Sequence, residues 1–211
     1  MRILITAGPT REPIDPVRFL SNRSTGKMGY AIATAAELRG HEVLLVSGPV
    51  NVSTPGGCHI VSVETASQMY DEVMEHSKGC DAAVMVAAVA DYTPIETSLQ
   101  KLKKSGDQNI KLKRTKDILG SMRQIFKFDG VLVGFAADTE GLRENALSKM
   151  QRKGCDFIVA NDVSRKDIGF ESDQNEVTVF QSDGSKDHIK KCSKQDIAEK
   201  ILDKIESLLK G

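Results

Sequence analysis

Cationic and hydrogen-bonding side chains crowd the polar stretch between an apolar segment, residues 2–6, and a helical pattern that begins near Lys27. They include three arginines, one lysine, two hydroxyls and one amide: Arg11, Arg18, Arg23, Lys27, Ser24, Thr25 and Asn22. The first turn of a helix presents unpaired N–H groups and a positive dipole end. Such a loop therefore favours binding of an anion, most simply a phosphate. The alternative is a solvated surface loop without a ligand.

Two familiar phosphate-binding patterns do not fit this loop. A P-loop has glycine where this chain has Ser21, and a hydroxyl residue where it has Met28. A dinucleotide fingerprint needs three spaced glycines after the strand, and only Gly8 is present; the second strand also ends in Ser47 rather than in an acid. These departures argue against NAD(P). An NAD(P)-dependent oxidoreductase and a non-catalytic binding or regulatory protein remain as alternatives.

Two predicted strands end in small residues followed by an aspartate. Asp91 follows a run of alanine and valine, Asp138 follows Phe135-Ala-Ala, and Asn161 ends a later strand. In an open parallel sheet, ligands bind beyond the carboxyl ends of the strands. Small side chains let a planar base or sugar approach the backbone, and a carboxylate can hold a metal or a hydroxyl. For the alanines, ordinary core packing is the alternative.

Lysines form a second group of candidates. Lys149 and Lys153 lie four residues apart on a predicted helix, so their ammonium groups share one face and repel each other unless an anion lies between them. This spacing favours a polyphosphate. Lys101, Lys103 and Lys104 belong to a polar stretch without periodicity, residues 93–109, which predicts a flexible lid. A charge run of this kind can also be simply solvated.

Strand and helix patterns alternate along the 211 residues, which predicts one domain with a doubly wound α/β sheet. The first strand has no charge after Arg2 and is expected to be central and buried on both faces. Met74 and Leu208 are predicted to face the core. Helices are predicted at 27–38, after a capping box at Thr65–Gln68, at 117–126, at 142–153 and from Ser193; strands at 2–6, 42–47, 60–63, 82–87, 131–136 and 157–160; and an antiparallel hairpin at 176–181 and 187–190.

Composition excludes several classes of function. Lys+Arg 29 and Asp+Glu 29 give no net charge, which argues against sequence-independent nucleic-acid binding. The four cysteines are far apart, which argues against a metal site or disulfides and fits a reducing compartment. No apolar run approaches the roughly 20 residues of a membrane span, and the chain starts in a strand rather than in a signal peptide. These features predict a cytoplasmic protein without nucleic-acid or membrane partners.

The run from Ile5 to Gly29 resembles the opening of the phosphopantothenoylcysteine synthetase family, the CoaB-type phosphopantothenate–cysteine ligases. The similarity covers essentially the whole chain, through residues 87–92, 101–104, 133–139, 149–153, 158–164 and 169–175. It implies a Rossmann-like, mostly parallel sheet with a C-terminal antiparallel hairpin, residues 172–192, used for dimerisation. Residues 1–211 are then a single ligase domain. Because nothing in the sequence supplies a flavin decarboxylase half, a stand-alone homodimer without flavin is expected; an excised half of a fusion is the alternative.

The resemblance implies a two-step reaction in coenzyme A biosynthesis. The carboxylate of 4′-phosphopantothenate attacks the α-phosphate of CTP, giving an acyl-cytidylate and pyrophosphate. The amine of L-cysteine then displaces CMP to form the amide. Mg²⁺ or Mn²⁺ is expected to bridge the triphosphate. Some relatives use ATP, so the same reaction with ATP is an alternative.

The resemblance also assigns residues. Asn22 corresponds to the asparagine that contacts the acyl-nucleotide, Arg18 to an arginine of the second half-reaction, and Lys101 to the lid lysine that reaches the nucleotide. Further contacts to the substrate or intermediate are Gly8, Ser24, Gly26 and Asn161. The implied nucleotide contacts, with Asp91 on the metal side, are Met85, Val86, Ala87, Asp91, Lys101, Lys116, Asp117, Ile118, Phe135, Lys149 and Lys153. Thr115-Lys116 replaces the family's Asn-Pro, and Asp138 replaces a common Glu. These departures leave open whether the nucleotide is CTP or ATP.

Overall fold

The computed structural model describes residues 1–104, 106–138, 140–162 and 172–210. Their strands are β1 (Arg2–Ala7), β2 (Arg11–Pro13), β3 (Phe19–Ser21), β4 (Glu42–Ser47), β5 (His59–Ser62), β6 (Ala82–Met85), β7 (Tyr92–Pro94), β8 (Leu112–Arg114), β9 (Val131–Asp138), β10 (Phe157–Asp162), β11 (Gln174–Gln181) and β12 (Lys186–Ser193). Their helices are α1 (Lys27–Leu38), α2 (Ala66–His76), α3 (Ile118–Gln124), α4 (Leu142–Lys153) and α5 (Lys194–Lys210).

Within the described residues, eight strands form one mixed sheet in the order β12-β11-β10-β9-β6-β1-β4-β5. Neighbours from β10 to β5 run parallel, whereas β11 and β12 are antiparallel. The predicted doubly wound, mostly parallel fold with a C-terminal antiparallel hairpin is therefore confirmed. Two short antiparallel pairs, β2–β3 and β7–β8, lie outside this sheet.

The central strand β1 is buried on both faces, as predicted. Ile3 and Ile5 pack in the cluster that includes α1 and α5, and Leu4 packs in the cluster that includes α2, α3 and α4. Helix α1 comes close to the sheet because its contact residue is Gly29, where an added Cβ would lie 2.6 Å from the Ala7 Cβ. The start of α1 is thereby held at the carboxyl end of β1.

Helices α1 and α4 have the predicted bounds, and Thr65 and Gln68 form the predicted capping box of α2. The predicted helix 117–126 is shorter, because Asp117 is its N-cap and the helix ends at Gln124. Two predicted core positions are wrong: Met74 is 41% exposed and Leu208 is 45% exposed. Both lie at the margin of an apolar stripe, near the C-terminus of their helix.

Two predicted loops contain short strands. The polar stretch after β1 includes the β2–β3 hairpin, which the buried Glu12 fastens to α2 by accepting the Ala66 N–H at 2.8 Å. The predicted lid, residues 93–109, begins inside β7, and the chain returns through β8. The similarity runs at 163–164 and 169–171, together with Ser105 and Thr139, lie outside the described residues. No helix in the described part of the chain is long and apolar enough to cross a membrane.

Candidate functional site

A cleft lies at the carboxyl edge of the sheet, where the chain leaves β6 and crosses toward β1 as residues 86–91. The Ala88 N–H donates to the Gly8 carbonyl at 2.9 Å, and the Ala90 N–H donates to the Thr10 hydroxyl at 3.0 Å. These bonds fix the crossing segment beside the end of β1. Two cavities open around it and a third lies beside the β2–β3 hairpin; we name them after the elements that line them.

The α4 cavity has a volume of about 520 Å³ and takes in most of the nucleotide-binding residues predicted from the sequence. It lies between α3, α4, the ends of β1, β6 and β9, and the β7–β8 pair. Lys116 at its rim stacks over the Tyr70 ring, 4.4 Å from the centroid. The predicted residues that line it are Met85, Ala87, Asp91, Lys116, Asp117, Ile118, Phe135, Lys149 and Lys153.

The two lysines of α4 have different partners. The Lys149 ammonium donates to the Phe135 carbonyl at 2.6 Å, whereas Lys153 forms an ion pair with Asp117. Burial raises the pKa of Asp117, but hydrogen bonds from Lys153 and from the Gly120 N–H lower it by more, so the carboxyl is ionised at neutral pH. The predicted repulsion between the lysines is therefore already relieved in part by Asp117.

The α1 cavity, about 280 Å³, lies between the start of α1 and the ends of β9 and β10. Gly8, Ser24, Gly26 and Asn161, all predicted substrate contacts, line it. Val86 lines this cavity as well, although it was predicted as a nucleotide contact of the neighbouring one.

Two features give the α1 cavity its polar character. Gly26 is the N-cap of α1 with φ +77°, a left-handed conformation that turns the chain into the helix over the end of β1. Asn161 is 7% exposed, and its Oδ1 atom is buried without a hydrogen-bond partner among the described residues. A buried acceptor without a donor is costly, so it favours a ligand that supplies one.

The hairpin cavity, about 370 Å³, lies between β2–β3 and the turn after β4. It holds Asn22, whose amide Nδ2 donates to the Ala88 carbonyl at 2.9 Å, together with Arg11 and Arg23. Ser24, Thr25 and Lys27 line both this cavity and the α1 cavity. Asn22 is therefore placed where these two cavities meet.

The α1 and α4 cavities share a wall. Five residues line both: Ala87, Val89, Asp91, Phe135 and Lys149. Two ligands that fill these cavities would meet at this wall. The arrangement suits a reaction between two bound molecules that are each anionic.

Two predicted catalytic residues are not brought to the cavities. Arg18 forms an ion pair with Asp15, in which its Nε and one terminal nitrogen both donate to Oδ2, at 2.9 and 2.5 Å. This pairing lowers the pKa of Asp15 well below its usual range. Arg18 also donates to the Leu102 carbonyl at 3.1 Å, so it anchors part of the predicted lid. Lys101 is exposed and lines none of the three cavities. Their catalytic roles stay predictions.

Sequence reasoning missed Lys194, the first residue of α5. It lines the α1 cavity and is only 6% exposed, and its ammonium donates to the Ser172 carbonyl at 2.5 Å. Burial lowers its pKa to about 8. One signal was present in the sequence: a cation at the start of a helix opposes the helix dipole, where an acid is the ordinary choice.

The fold and the cleft define a doubly wound α/β domain with paired, lysine-lined cavities at the carboxyl edge of its sheet. Residues 1–209 match the family described as the DNA/pantothenate metabolism flavoprotein C-terminal domain, and the chain belongs to that family. The resemblance found in the sequence is thereby confirmed.

Relatives and solved structures agree with this assignment. The coenzyme A biosynthesis bifunctional protein CoaBC of Vibrio parahaemolyticus is 45% identical over 210 residues, which cover 98% of this chain and 52% of that protein. The chain spans about half the length of the curated relatives it matches. The crystal structure of the C-terminal domain of a CoaBC protein matches with a TM-score of 0.85 and 42% identity, covering 99% of this chain and 95% of the other.

A more distant structure shares the fold. Cab2, solved as a variant in complex with phosphopantothenate-cysteine, matches with a TM-score of 0.81 over 99% of this chain and 86% of that chain. Its 15% identity limits the comparison to architecture.

Proposed function

We propose that this chain is a phosphopantothenate–cysteine ligase of coenzyme A biosynthesis. It joins 4′-phosphopantothenate to L-cysteine while CTP is cleaved to CMP and pyrophosphate. Membership of the family and 45% identity to a protein named for coenzyme A biosynthesis support the pathway. The substrates are those that the family resemblance implies; Cab2, which shares the fold, was solved with phosphopantothenate-cysteine.

The observation that carries this proposal is the shared wall between the α1 and α4 cavities. A carboxylate does not acylate an amine at neutral pH without activation, so a ligase must first bring the carboxylate to a phosphate. Two cavities that meet at Lys149 and Asp91 provide that contact, with Lys149 placed to offset the charge that gathers between the two anions.

In this proposal the nucleotide occupies the α4 cavity. Lys149 and Lys153 contact the triphosphate, and the main chain of Met85 and Ala87 meets the base beside Phe135. The α-phosphate then lies at the shared wall. The preference for CTP over ATP rests on the resemblance.

Phosphopantothenate occupies the α1 cavity, with its phosphate at the start of α1 and its carboxylate at the shared wall. The carboxylate attacks the α-phosphorus, and pyrophosphate leaves. The cysteine amine then attacks the acyl carbon, CMP leaves, and the amine loses a proton to solvent. One N–H of Asn22 donates to Ala88 and orients the side chain. We assign to the second N–H the stabilisation of the oxyanion that forms in this step.

A divalent cation fits the chemistry of the site. Among the described residues no three His, Cys, Asp or Glu side chains form a metal cluster. Mg²⁺ commonly needs only one or two carboxylates besides phosphate oxygens and water, and Asp91 lies between the two cavities. When bound, Mg²⁺ or Mn²⁺ would offset phosphate charge.

Four further parts belong to the proposal. Residues 1–211 act as one ligase domain without flavin, residues 93–109 close over the nucleotide and bring Lys101 to it, and the hairpin at 172–192 joins two copies of the chain. The enzyme works in the cytoplasm. The length of the relatives leaves open whether a decarboxylase half is fused to it.

The decisive experiment mixes the protein with phosphopantothenate, Mg²⁺ and each nucleoside triphosphate in turn, and measures pyrophosphate. We expect release with CTP and amide formation once cysteine is added. If pyrophosphate is released with ATP and not with CTP, the nucleotide of the proposed reaction is ATP. No release with any nucleotide, together with oxidation of NAD(P)H by a test substrate, would favour an oxidoreductase.

A further inference from the structure

Glu12, an acidic residue of the short strand β2, is buried although β2 lies outside the main sheet. It is 2% exposed, and its Oε1 atom accepts the Ala66 N–H at 2.8 Å. Acidic side chains are rarely buried to this extent without a partner, and here the partner is the main chain of another element. The reaction described above gives Glu12 no role, and Glu12 lines none of the three cavities.

The partner of Glu12 is the start of a firmly packed helix. Ala66 is the first residue of α2, directly after the N-cap Thr65. The first N–H groups of a helix have no partner within it, and Glu12 satisfies one of them. Helix α2 is packed in the core through Met69 and Val73, which are both fully buried. The hydrogen bond therefore ties β2 to a rigid support.

The strand that Glu12 anchors carries the loop of Asn22. Strands β2 and β3 pair along all three of their residues, and a hairpin this short is not stable by itself. The Ser21 hydroxyl, at the end of β3, donates to the Thr10 carbonyl at 2.7 Å. Asn22 comes directly after Ser21, and its amide donates to the Ala88 carbonyl. A shift of the hairpin would therefore move the Asn22 amide away from this acceptor.

We infer that Glu12 is a positioning residue, which holds Asn22 at its place for the chemical step by fixing the β2–β3 hairpin to the start of α2. The inference rests on the proposed function, in which the Asn22 amide stabilises the oxyanion. A main-chain bond from the Arg11 N–H to the Glu64 carbonyl, at 2.7 Å, joins the same two parts of the chain. Glu12 adds a side-chain bond that a substitution can remove. Because Glu12 lines no cavity, its loss should slow turnover while nucleotide binding is retained.

The test removes the hydrogen bond from either side. Glu12→Ala removes the acceptor, and Ala66→Pro removes the donor at the first position of a helix, where proline is tolerated. Glu12→Gln keeps a carbonyl oxygen that can accept the Ala66 N–H. Thr65→Ala is the matched control, because it removes a side-chain bond at the same helix start, to the Gln68 N–H, that does not involve the hairpin. KM and kcat are measured for CTP and phosphopantothenate with saturating cysteine, and circular dichroism checks folding.

Glu12→Ala and Ala66→Pro are both expected to lower kcat at least tenfold, with KM for CTP changed less than twofold. Glu12→Gln should keep kcat within threefold of the wild type, and Thr65→Ala should match the wild type. In an Asn22→Ala background, Glu12→Ala should lower kcat less than twofold further, because the group that it positions is gone. An equal loss in both backgrounds, or an unchanged kcat in Ala66→Pro, would overturn the inference, even if Glu12→Ala fails to fold.

Limited proteolysis keeps the role of Glu12 separate from the proposed function. Trypsin cleaves after arginine, and Arg18 and Arg23 lie on either side of β3. Without ligands, Glu12→Ala should be cut at these two sites at least fivefold faster than Thr65→Ala, with the sites identified by mass spectrometry. If no nucleotide supports pyrophosphate release, the ligase proposal fails, whereas faster cleavage would still support the attachment of the hairpin by Glu12. Equal cleavage rates in the two variants would reject that attachment.

Discussion

The side-chain amide of Asn22 donates a hydrogen bond to the main-chain carbonyl of Ala88, with 2.9 Å between the two atoms. Ala88 in turn donates its N–H to the Gly8 carbonyl at 2.9 Å. Asn22 lines the hairpin cavity and Ala88 lines the α1 cavity. This chain of bonds holds the amide at the junction of the two cavities, although Asn22 belongs to an exposed loop.

The Asn22 bond leads to a prediction about turnover. Asn22→Ala and Asn22→Asp both remove the N–H donor, and we expect a loss of about 2–4 kcal/mol of transition-state stabilisation, or roughly 30- to 1000-fold in kcat. Nucleotide binding should be retained. Asn145→Ala is the control, since it removes a similar amide-to-carbonyl bond, to Glu140, away from the cavities. Unchanged turnover in both Asn22 variants would exclude the role in oxyanion stabilisation.

The unequal partners of the α4 lysines predict unequal effects. Lys149→Gln should raise KM for the nucleotide about 10- to 100-fold, because a charged hydrogen bond is worth about 1.5–3 kcal/mol. Lys153→Gln should have a smaller effect, because Lys153 is paired with Asp117 and lines the α4 cavity alone, whereas Lys149 lines both cavities. Arg152→Gln, at an exposed site of the same helix, is the control. Steady-state kinetics check this order, and a larger effect at Lys153 would contradict it.

Gly26 gives a prediction about stability. In Gly26→Ala the new Cβ would lie 2.5 Å from Val50 Cγ1, and the φ of +77° is unfavourable for alanine. We expect the free energy of unfolding to fall by about 1–3 kcal/mol in urea titration. In the double variant Gly26→Ala/Val50→Ala, the loss of unfolding free energy relative to Val50→Ala alone should be smaller, because the steric contact is removed. The part that comes from the backbone conformation should remain. Full recovery would show that the backbone conformation carries no penalty.

Arg123 joins α3 to the turns beneath β9 and β10. It donates to the carbonyls of Phe128, Gly130 and Gly154 at 2.8–3.0 Å, and to the Asp156 carboxylate at 2.8 Å. Arg123→Met removes all four bonds and leaves Asp156 with the Leu132 N–H as a donor, so we expect a loss of about 2–4 kcal/mol in the free energy of unfolding.

The control for Arg123 is Arg152→Met, which is exposed and should change stability by less than about 0.5 kcal/mol. Chemical denaturation with a single fluorescence or circular dichroism signal measures both variants. Equal stabilities would mean that water replaces the arginine at no cost.

Lys194 makes stability depend on pH in the ligand-free protein. Burial lowers its pKa from 10.5 to about 8 in the folded state. Between these values the unfolded chain binds a proton that the folded chain does not, so stability relative to Lys194→Gln should rise with pH from about 8 to 10.5. Below about pH 8 the difference should be constant, since both states are protonated. Urea titrations at several pH values test this, and a difference independent of pH throughout would contradict it.

Much of the framework was predictable from the sequence. Helix α1 was predicted from Lys27 to Leu38, because its apolar residues recur with helical spacing and Gly40 ends the pattern. Asn161 was predicted as a site residue because β10 is parallel and its carboxyl end must meet the same edge as that of β1. These inferences depend on local periodicity and on sheet topology.

Other features depend on tertiary contacts that no local pattern contains. The β2–β3 hairpin has strands of three residues each, too short for a period, and its buried Glu12 is explained only by the start of α2. The Asp117 partner of Lys153 lies 36 residues away in the chain. Lys194 follows a serine in a polar stretch, and such lysines are ordinarily solvated.

The strands that end beneath the cavities, β1, β6, β9 and β10, are all interior strands, whereas β5 and β12 form the two edges of the sheet. Sheets fray from their edges, where backbone groups have a neighbour on one side only. Main-chain amide protons of the interior strands beneath the cavities should therefore exchange with solvent more slowly than those of β5 and β12. The edge strands can open locally or accommodate an insertion, while the interior strands that carry the cavities keep their conformation.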